Sequence, residues 1–329
     1  MVKISRNFKN LLIILVLSLP FWLGVNYFEK RLENFFFWYQ ISNNPQVISQ
    51  IFTAQLDQKL EDLKPLRNRK TGELNPKVKS AISILIDKKG KERILLEKES
   101  NLKLPIASLT KLMTAWVVLE HYDFSKEITV SKKASLQYGE NGKLKEGETF
   151  KVEYFLYPLL MESSNGAAIS LSNDYEGIKE RDFIVLMNEE AQKLGLNSTF
   201  FANPTGLDPE ESKTEMNYST TVDLVKLTKE LLKKPLIWEI LALPKYSLYG
   251  PELINTNKLL IDGGVGWQGK IIGGKTGFTD QAGGILLLVL RAPRGQGTLI
   301  NVVLGAEGVD QRFEEMRKLL DWLKEAYYW

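Results

Sequence analysis

A serine and a lysine three residues apart, Ser108 and Lys111, form the first pattern in this chain that could carry out covalent chemistry. Pro105 lies just before them, and an apolar run over 112–119 follows. Because proline is favoured in the first turn of a helix and disfavoured further in, we predict that Ser108 lies at or near a helix N-terminus. Positions three apart share one helical face, so the hydroxyl and the amine would be neighbours there. Such a pair could act as a nucleophile and its base.

The serine–lysine pattern is weak evidence by itself. The same spacing recurs at Ser100 and Lys103, and short motifs often arise by chance. A surface serine and lysine on an ordinary core helix is therefore the alternative. The single histidine, His121, lies about 20 Å further along the same predicted helix, at about 1.5 Å per residue. We expect His121 to be a helix C-terminal or surface residue, so the base of any serine enzyme here would be lysine.

Composition excludes several classes of function. With 329 residues, 44% hydrophobic and 25% charged, the chain is an ordinary globular protein of one large or two medium domains. The net charge of +3 comes without a long basic block, so we expect no nucleic acid partner. The absence of cysteine excludes a thiol nucleophile, disulfides and a cysteine metal site. The residues indicate neither a metal nor an organic cofactor.

The N-terminal region has the pattern of a membrane anchor. Lys3, Arg6 and Lys9 precede an apolar run over 11–28; about 18 apolar residues are the lower limit for crossing a bilayer. Basic residues before the run predict a cytoplasmic N-terminus and an extracytoplasmic domain. We interpret residues 1–30 as an uncleaved single-pass anchor in the cell membrane, with a cleaved signal peptide as the alternative. The rest of the chain is exported on either interpretation.

Residues 31–77 are predicted to connect the anchor to a folded domain. The aromatic run 35–39 suits a membrane–water interface, although it could also pack on the domain. Apolar residues at helical spacing predict an amphipathic helix over 46–63, either on the membrane or against the domain. The polar stretch 64–76, rich in Lys, Arg, Asn and Pro, is interpreted as a linker. We expect the catalytic domain to cover 78–329.

The domain is predicted to be α+β. A hairpin is expected over 81–97, and two apolar runs, 285–291 and 298–305, predict a strand pair near the C-terminus. The glycine-rich stretch 263–274 should lead into a strand, and a last helix is expected over 310–328. Because helices fill the middle, the first hairpin must meet the last strands. We therefore expect one antiparallel sheet flanked by helices, with a mostly helical insertion.

Two further short motifs follow the serine–lysine pair. The motifs occur in the chain order Ser108 with Lys111, Ser163-Ser164-Asn165, and Lys275-Thr276-Gly277. They fall at a predicted helix start, a helix-to-helix turn and the start of a strand, where side chains can converge on a cleft. A second Lys-Thr-Gly at 70–72 lies in the linker region, ahead of the serine–lysine pairs. Together the three motifs are the signature of penicillin-binding proteins and related β-lactamases.

The chain resembles the low-molecular-mass penicillin-binding proteins, the serine-type D-alanyl-D-alanine carboxypeptidases of the peptidase S11 kind. The similarity covers about 78–329 and includes the segments 107–115, 144–148, 203–207 and 274–283. It implies a β-lactamase/DD-peptidase-like fold. It also implies removal of the terminal D-Ala from peptidoglycan stem peptides through an acyl-enzyme on Ser108, with β-lactams as covalent inhibitors.

The resemblance assigns roles to the motif residues. Lys111 would be the base, and a lysine can serve only if much of it is neutral; burial and a nearby cation such as Lys275 would lower its pKa. The amide of Ser108 and, by resemblance, that of Phe278 would hold the oxyanion. Ser163 would relay a proton to the leaving amine.

Substrate binding is assigned in the same way. Asn165 would orient the substrate amide. Lys275, Thr276 and the family's carboxylate-binding arginine, which matches Arg312, would hold the terminal carboxylate by charge-assisted hydrogen bonds, and Gly277 belongs to the same strand motif. A solvated arginine at the start of the last helix is the alternative for Arg312. Many relatives carry His at the position of Thr205, so the role of that loop stays open.

Three rival functions remain at this point. A DD-endopeptidase that cuts peptidoglycan cross-links would use the same motifs. A class A β-lactamase would carry a Glu-x-x-Leu-Asn segment, and none lies between Asn165 and Lys275. A membrane-tethered, non-catalytic wall-binding module is the third alternative, and the complete motif set disfavours it.

Overall fold

The computed structural model describes residues 6–43, 46, 49–50, 52–56, 65–139, 142–209, 215–247, 250, 252–261, 266–267 and 269–329. The chain divides into two compact units, 1–64 and 65–329. The first unit contains the long helix α1 (Arg6–Asn43), and residues 46, 49–50 and 52–56 are also helical. The rest of the helix predicted over 46–63 lies outside the described residues. No helix in the described ranges combines the length and the apolar character needed to cross a membrane.

The second unit is built from short and long strands with helices between them. Its strands are β1 (Leu66–Arg67), β2 (Ser80–Asp87), β3 (Glu92–Lys98), β4 (Leu104–Pro105), β5 (Glu127–Thr129), β6 (Thr149–Lys151), β7 (Tyr218–Ser219), β8 (Lys245–Tyr246), β9 (Leu253–Ile254), β10 (Ile271–Thr279), β11 (Gly283–Arg291), β12 (Gly297–Ala306) and β13 (Tyr327–Tyr328). Its helices are α2 (Thr110–His121), α3 (Lys132–Ser135), α4 (Val152–Leu160), α5 (Asn165–Asn173), α6 (Glu180–Lys193), α7 (Thr221–Leu231), α8 (Pro235–Leu241), α9 (Lys258–Ile261) and α10 (Gln311–Ala326). Short 3₁₀ turns lie at Ala107–Leu109 and Pro293–Gly295.

One antiparallel sheet of five strands, in the order β10-β11-β12-β2-β3, organises the second unit. The first hairpin, β2–β3, joins the C-terminal strands because β2 pairs with β12. This is the closure that the sequence predicted, and the α+β assignment is confirmed. The helices α2 to α9 occupy the insertion between β3 and β10.

The two faces of the sheet support separate cores. Along β11, the odd-numbered residues of 285–289 belong to the core cluster shared with the inserted helices, whereas the even-numbered residues of 286–290 belong to the cluster that includes Phe313, Met316 and Leu320 of α10. Successive side chains of a strand point to opposite faces. A strand covered on both faces is therefore apolar throughout, which explains the unbroken run that β11 shows in the sequence.

Strand β10 begins at Ile271, inside the stretch that the sequence suggested would only lead into a strand. An added Cβ at Gly273 would lie 2.9 Å from Leu241 Cβ and 3.0 Å from Trp238, so α8 packs where the side chain is missing. At Gly274 the same atom would lie 2.8 Å from Asn257 Nδ2. The two glycines let neighbouring elements approach the backbone of a strand, and they do not mark a loop. Because the strand begins at Ile271, residues 275–277 lie in the middle of β10.

The C-terminus differs from the predicted helix over 310–328. Helix α10 ends at Ala326, and β13 pairs with β1. The Arg67 guanidinium lies over the Trp322 and Tyr327 rings, and Trp322 Nε1 donates a 2.7 Å hydrogen bond to the Gly72 carbonyl. Residues 65–76 of the predicted linker thus lie in the second unit. Their partners are more than 200 positions away, where no local pattern reveals them.

Candidate active site

Ser108 lies in the 3₁₀ turn Ala107–Leu109, directly before α2. The prediction of a helix start at this position is therefore close to what the structure shows. Ala107 has a φ of 40°, in the left-handed region that a residue with a side chain seldom adopts. Lys111 follows in the first turn of α2, and its side chain has no exposed surface.

The Lys111 amine has three polar neighbours. Its Nζ lies 2.8 Å from Asn165 Oδ1, 2.6 Å from the Thr205 carbonyl oxygen and 3.0 Å from Ser108 Oγ. Two of these oxygens can only accept hydrogen bonds, whereas a hydroxyl can also donate. A neutral amine has two N–H bonds and one lone pair. With the N–H bonds directed to Asn165 and Thr205, the lone pair is left to accept the Ser108 proton.

Burial makes the neutral amine accessible near physiological pH. Desolvation of the charged form lowers the pKa of Lys111 from its ordinary value of 10.5 to about 7. At pH values above about 7 the amine is mostly unprotonated and can act as a base. Lys111 thus combines the geometry and the charge state that proton abstraction from Ser108 requires.

A second buried lysine, Lys275, contacts the second motif. Its Nζ donates to Ser163 Oγ at 2.7 Å and to the Thr276 carbonyl at 3.0 Å. Burial lowers the pKa of Lys275, and the positive charges of Lys111 and Arg312 lower it further. Because like charges disfavour each other, charging Lys111 and Lys275 at the same time is disfavoured.

Asn165 joins the first and second motifs. It is the first residue of α5, whose N-terminus is capped by Ser164 Oγ accepting from the Ala167 amide at 3.0 Å. Asn165 Nδ2 donates to the Tyr138 carbonyl at 2.7 Å, so the side-chain oxygen necessarily turns towards Lys111. The orientation of this amide is therefore fixed from both ends.

Strand β10 borders Ser108 from the other side. An added Cβ at Gly277 would lie 3.0 Å from the Ser108 backbone nitrogen, so the two backbones are in close contact. Thr276 Oγ1 lies 2.6 Å from Thr256 Oγ1, and Phe278 is partly exposed beside them. Arg312, which is buried, donates from a terminal guanidinium nitrogen to the Gly277 carbonyl at 2.7 Å. Burial lowers the pKa of Arg312 to about 10, so it stays positively charged at neutral pH.

These residues surround one cleft of about 250 Å³. Its walls come from all three motifs and from the loops between them: Ser108, Tyr138, Gly139, Glu162, Ser163, Asn165, Gly206, Leu207, Thr256, Thr276, Gly277, Phe278, Thr279 and Arg312. Lys111 and Lys275 contact the cleft through their hydrogen bonds to Ser108 and Ser163.

His121 lies at the far end of α2, with its Nε2 3.0 Å from Glu190 Oε1.

The loop carrying Thr205 contributes a backbone group that sequence reasoning missed. Asn203 Oδ1 accepts from the amides of Thr205 and Gly206 at 3.2 and 2.7 Å, an arrangement that closes the turn and directs the Thr205 carbonyl at Lys111. The Asn-Pro-Thr-Gly segment signals a turn but not this contact. The Thr205 hydroxyl supports the same turn, since it donates to Asn203 Oδ1 at 2.9 Å and accepts from the Leu207 amide at 3.2 Å. The Tyr138 carbonyl has no sequence signal either.

Comparison with known proteins identifies the family. The sequence model of the D-alanyl-D-alanine carboxypeptidase family matches residues 69–308. The chain therefore belongs to this family, and the resemblance stated from its motifs is confirmed. The D-alanyl-D-alanine carboxypeptidase DacF of Bacillus subtilis is 32% identical over 271 residues, 79% of this chain. The D-alanyl-D-alanine endopeptidase of Pseudomonas aeruginosa is 32% identical over 251 residues, which are 74% of this chain and 76% of that protein.

Solved structures show the same fold. Penicillin-binding protein D2 of Listeria monocytogenes, solved with cefotaxime bound, superimposes with a TM-score of 0.65 at 30% identity, covering 76% of this chain and 98% of that one. The DD-peptidase-like fold is thereby confirmed. This chain spans only 65% of the length of DacF.

Substituting Gly206 should disturb the turn that supports Ser108. An added Cβ would lie 1.9 Å from the Ala107 carbonyl oxygen, and Gly206 has a φ of +81°. Gly90 has a similar φ of +79° with no heavy atom within 4 Å, which makes it a matched control. We expect Gly90→Ala to lower the free energy of unfolding by about 1–2 kcal/mol, and Gly206→Ala by about 1–3 kcal/mol more. Equal losses in urea unfolding would contradict the close contact.

Proposed function

We propose that this protein is a serine D-alanyl-D-alanine carboxypeptidase that removes the terminal D-Ala from peptidoglycan stem peptides. One observation carries the proposal: the buried Lys111 amine has its donors occupied by Asn165 and Thr205 and its lone pair free for the Ser108 hydroxyl. Family membership and the match to curated carboxypeptidases support the same chemistry.

Acylation follows from this geometry. Lys111 takes the Ser108 proton as Oγ attacks the carbonyl carbon of the penultimate D-Ala. The amides of Ser108 and Phe278, on backbones that lie against each other, stabilise the oxyanion. The C–N bond then breaks, and Ser163, hydrogen-bonded to Lys275, passes its hydroxyl proton to the leaving D-Ala amine, while the proton that Lys111 took from Ser108 restores the Ser163 hydroxyl. Water then attacks the ester and gives a proton to Lys111, which returns it to Ser108 Oγ as the shortened peptide leaves with the water oxygen in its new carboxyl group.

Substrate recognition would come from groups around the same cleft. The Asn165 amide would pair with the peptide backbone, and Thr276 and Gly277 would border it along β10. Arg312 lines the cleft and keeps its positive charge at neutral pH. This charge suits a free C-terminus, and the Lys275 amine beside it can donate a further hydrogen bond. A β-lactam would enter the same site and stay as an ester on Ser108.

Cleavage of cross-links is a second candidate. Relatives named D-alanyl-D-alanine endopeptidases in Pseudomonas aeruginosa and Escherichia coli are 32% and 30% identical, and the chain covers 76% and 78% of their lengths. The two activities break the same type of bond and differ in the leaving group, which is a single D-Ala or the side chain of a cross-linked peptide. Incubation with purified muropeptides separates them, because a carboxypeptidase releases D-Ala whereas an endopeptidase converts dimers into monomers.

Replacing Ser108 should abolish the reaction. We expect Ser108→Ala to lose both D-Ala release and covalent labelling by a fluorescent penicillin, since no other hydroxyl of the described residues lies at the Lys111 amine. Ser100→Ala is the matched control: it removes the serine of the second Ser-x-x-Lys pattern, and Ser100 Oγ is engaged with Glu97 instead. The control should keep both activities. Labelling that persists in Ser108→Ala, or is lost in Ser100→Ala, would contradict the assignment.

We also propose that residues 1–30 hold the protein at the cell membrane, followed by a connecting segment that ends near residue 64 and a catalytic unit over 65–329 outside the cytoplasm. Large apolar side chains of α1 are exposed, Leu19 and Leu23 by 48% and 65%. Exposed apolar surface of this extent favours a lipid environment.

The membrane assignment can be tested with the full chain. We expect it to stay in the membrane fraction after an alkaline carbonate wash and to be released by Leu19→Glu with Leu23→Glu. Leu136→Glu, at a leucine of the second unit that is 71% exposed, should change nothing. Recovery of the unaltered chain in the wash would refute the proposal.

A further inference from the structure

Glu162 is a buried acid beside the catalytic serine–lysine network that the mechanism does not use. It directly precedes Ser163, lines the cleft and is 6% exposed. An ionised carboxylate in such a position is costly unless it is paired and hydrogen-bonded. Its partners therefore indicate what the burial achieves.

One oxygen of Glu162 joins three segments of chain. Oε1 accepts from Lys143 Nζ at 3.1 Å and from the Ile254 amide at 3.2 Å. Lys143 also donates to the Glu252 carbonyl, on the same segment as Ile254. The loop that carries Lys143, the turn that carries Ser163 and strand β9 are thus tied together by one charge-assisted cluster.

Each tied segment also supports a residue of the site. The Tyr138 carbonyl, a few positions before Lys143, orients Asn165. After β9, the Thr256 amide donates to the Met161 carbonyl at 2.9 Å, and Thr256 Oγ1 lies 2.6 Å from Thr276 Oγ1. The cluster therefore lies between the supports of two substrate-contacting residues and immediately beside Ser163.

The backbone of Ser163 needs such support. Its φ of 63° is in the left-handed region, which costs a residue with a side chain about 1–3 kcal/mol and persists only when neighbouring contacts impose it. The hydrogen bonds of the Glu162 side chain hold the residue directly before Ser163 in place. Relaxation of this turn would move Ser163 Oγ away from Lys275 Nζ.

We propose that the Glu162–Lys143 ion pair is a positioning pair that holds Ser163 against Lys275. The pair does not touch the reacting atoms; it acts through the strained turn. The proposal rests on the proposed function, since the consequence of misplacing Ser163 is slower transfer of the proton to the leaving group.

The test measures the rate constant of Ser108 acylation by a fluorescent penicillin in the full chain. We expect Glu162→Ala, Glu162→Gln and Lys143→Met each to lower it about 10- to 100-fold, as small misplacements of a catalytic group do. Combining Glu162→Gln with Lys143→Met should cost no more than either change alone, because the two residues act as one unit. Lys143→Arg keeps the cation and should restore most of the rate.

Glu190→Ala is the matched control. Glu190 is 5% exposed and accepts from Lys193 Nζ at 2.7 Å and Trp116 Nε1 at 2.9 Å, near the opposite end of α2 from Ser108. It should lower the melting temperature and leave acylation within about twofold, the scatter expected of a remote site. If Glu162→Ala does not fold, the rate constant of Lys143→Met tests the proposal instead. The Lys143 side chain is 43% exposed, so its replacement should not prevent folding.

The outcomes separate the two proposals. If the unaltered chain is acylated, and the rate constants of Glu162→Gln and Lys143→Met both lie within twofold of its own, the positioning pair is overturned. The proposed function then stays intact. Equal rate losses in Glu190→Ala and Glu162→Ala also overturn it, because general destabilisation then explains both. No acylation of the unaltered chain overturns the proposed function, and the positioning pair falls with it.

Discussion

The site depends on the placement of a single amine in a space closed to water. Lys111 is a strong base in solution and would be an ammonium at neutral pH; burial brings its pKa to about 7. Because two fixed acceptors, Asn165 Oδ1 and the Thr205 carbonyl, take its N–H bonds, its lone pair has one remaining direction. That direction leads to Ser108 Oγ, and the reactivity of the hydroxyl follows from it.

The surrounding fold supplies what this arrangement needs. The β-sheet brings β10, with Lys275 and the Gly277 backbone, against the start of α2, although residues 108 and 277 are far apart in sequence. The inserted helices contribute the turn with Ser163 and the cap with Asn165. The charges are divided between roles: Lys111 is tuned to be neutral, whereas Arg312 keeps its charge with a pKa of about 10. A neutral base and a permanent cation can thus share one small cleft.

The motif residues and the topology were accessible from the sequence for a physical reason. Ser108 and Lys111 are local neighbours on one helix, and strands with unbroken apolar runs must be covered on both faces. The meeting of the first hairpin with the last strands followed from the position of the helices between them. The geometry of the site could not be predicted in this way, because it depends on backbone carbonyls. Thr205 and Tyr138 contact Lys111 and Asn165 through carbonyl groups that every residue carries, so the residue types at 205 and 138 do not predict these contacts. Gly273 and Gly274 belong to a stretch that was expected only to precede the strand. Helix α8 packs against Gly273 and Asn257 approaches Gly274, which shows why glycines lie inside β10.

The most direct test of this account is an NMR titration of the Lys111 Nζ resonance in the intact protein, with lysine labelled by ¹⁵N and the signal assigned by its loss in Lys111→Met. As pH rises, a group with a lowered pKa loses its proton early, so the amine should become neutral with a midpoint near pH 7. A Lys111 ammonium that persists above pH 9 would contradict the account, since Ser108 would then have no base beside it.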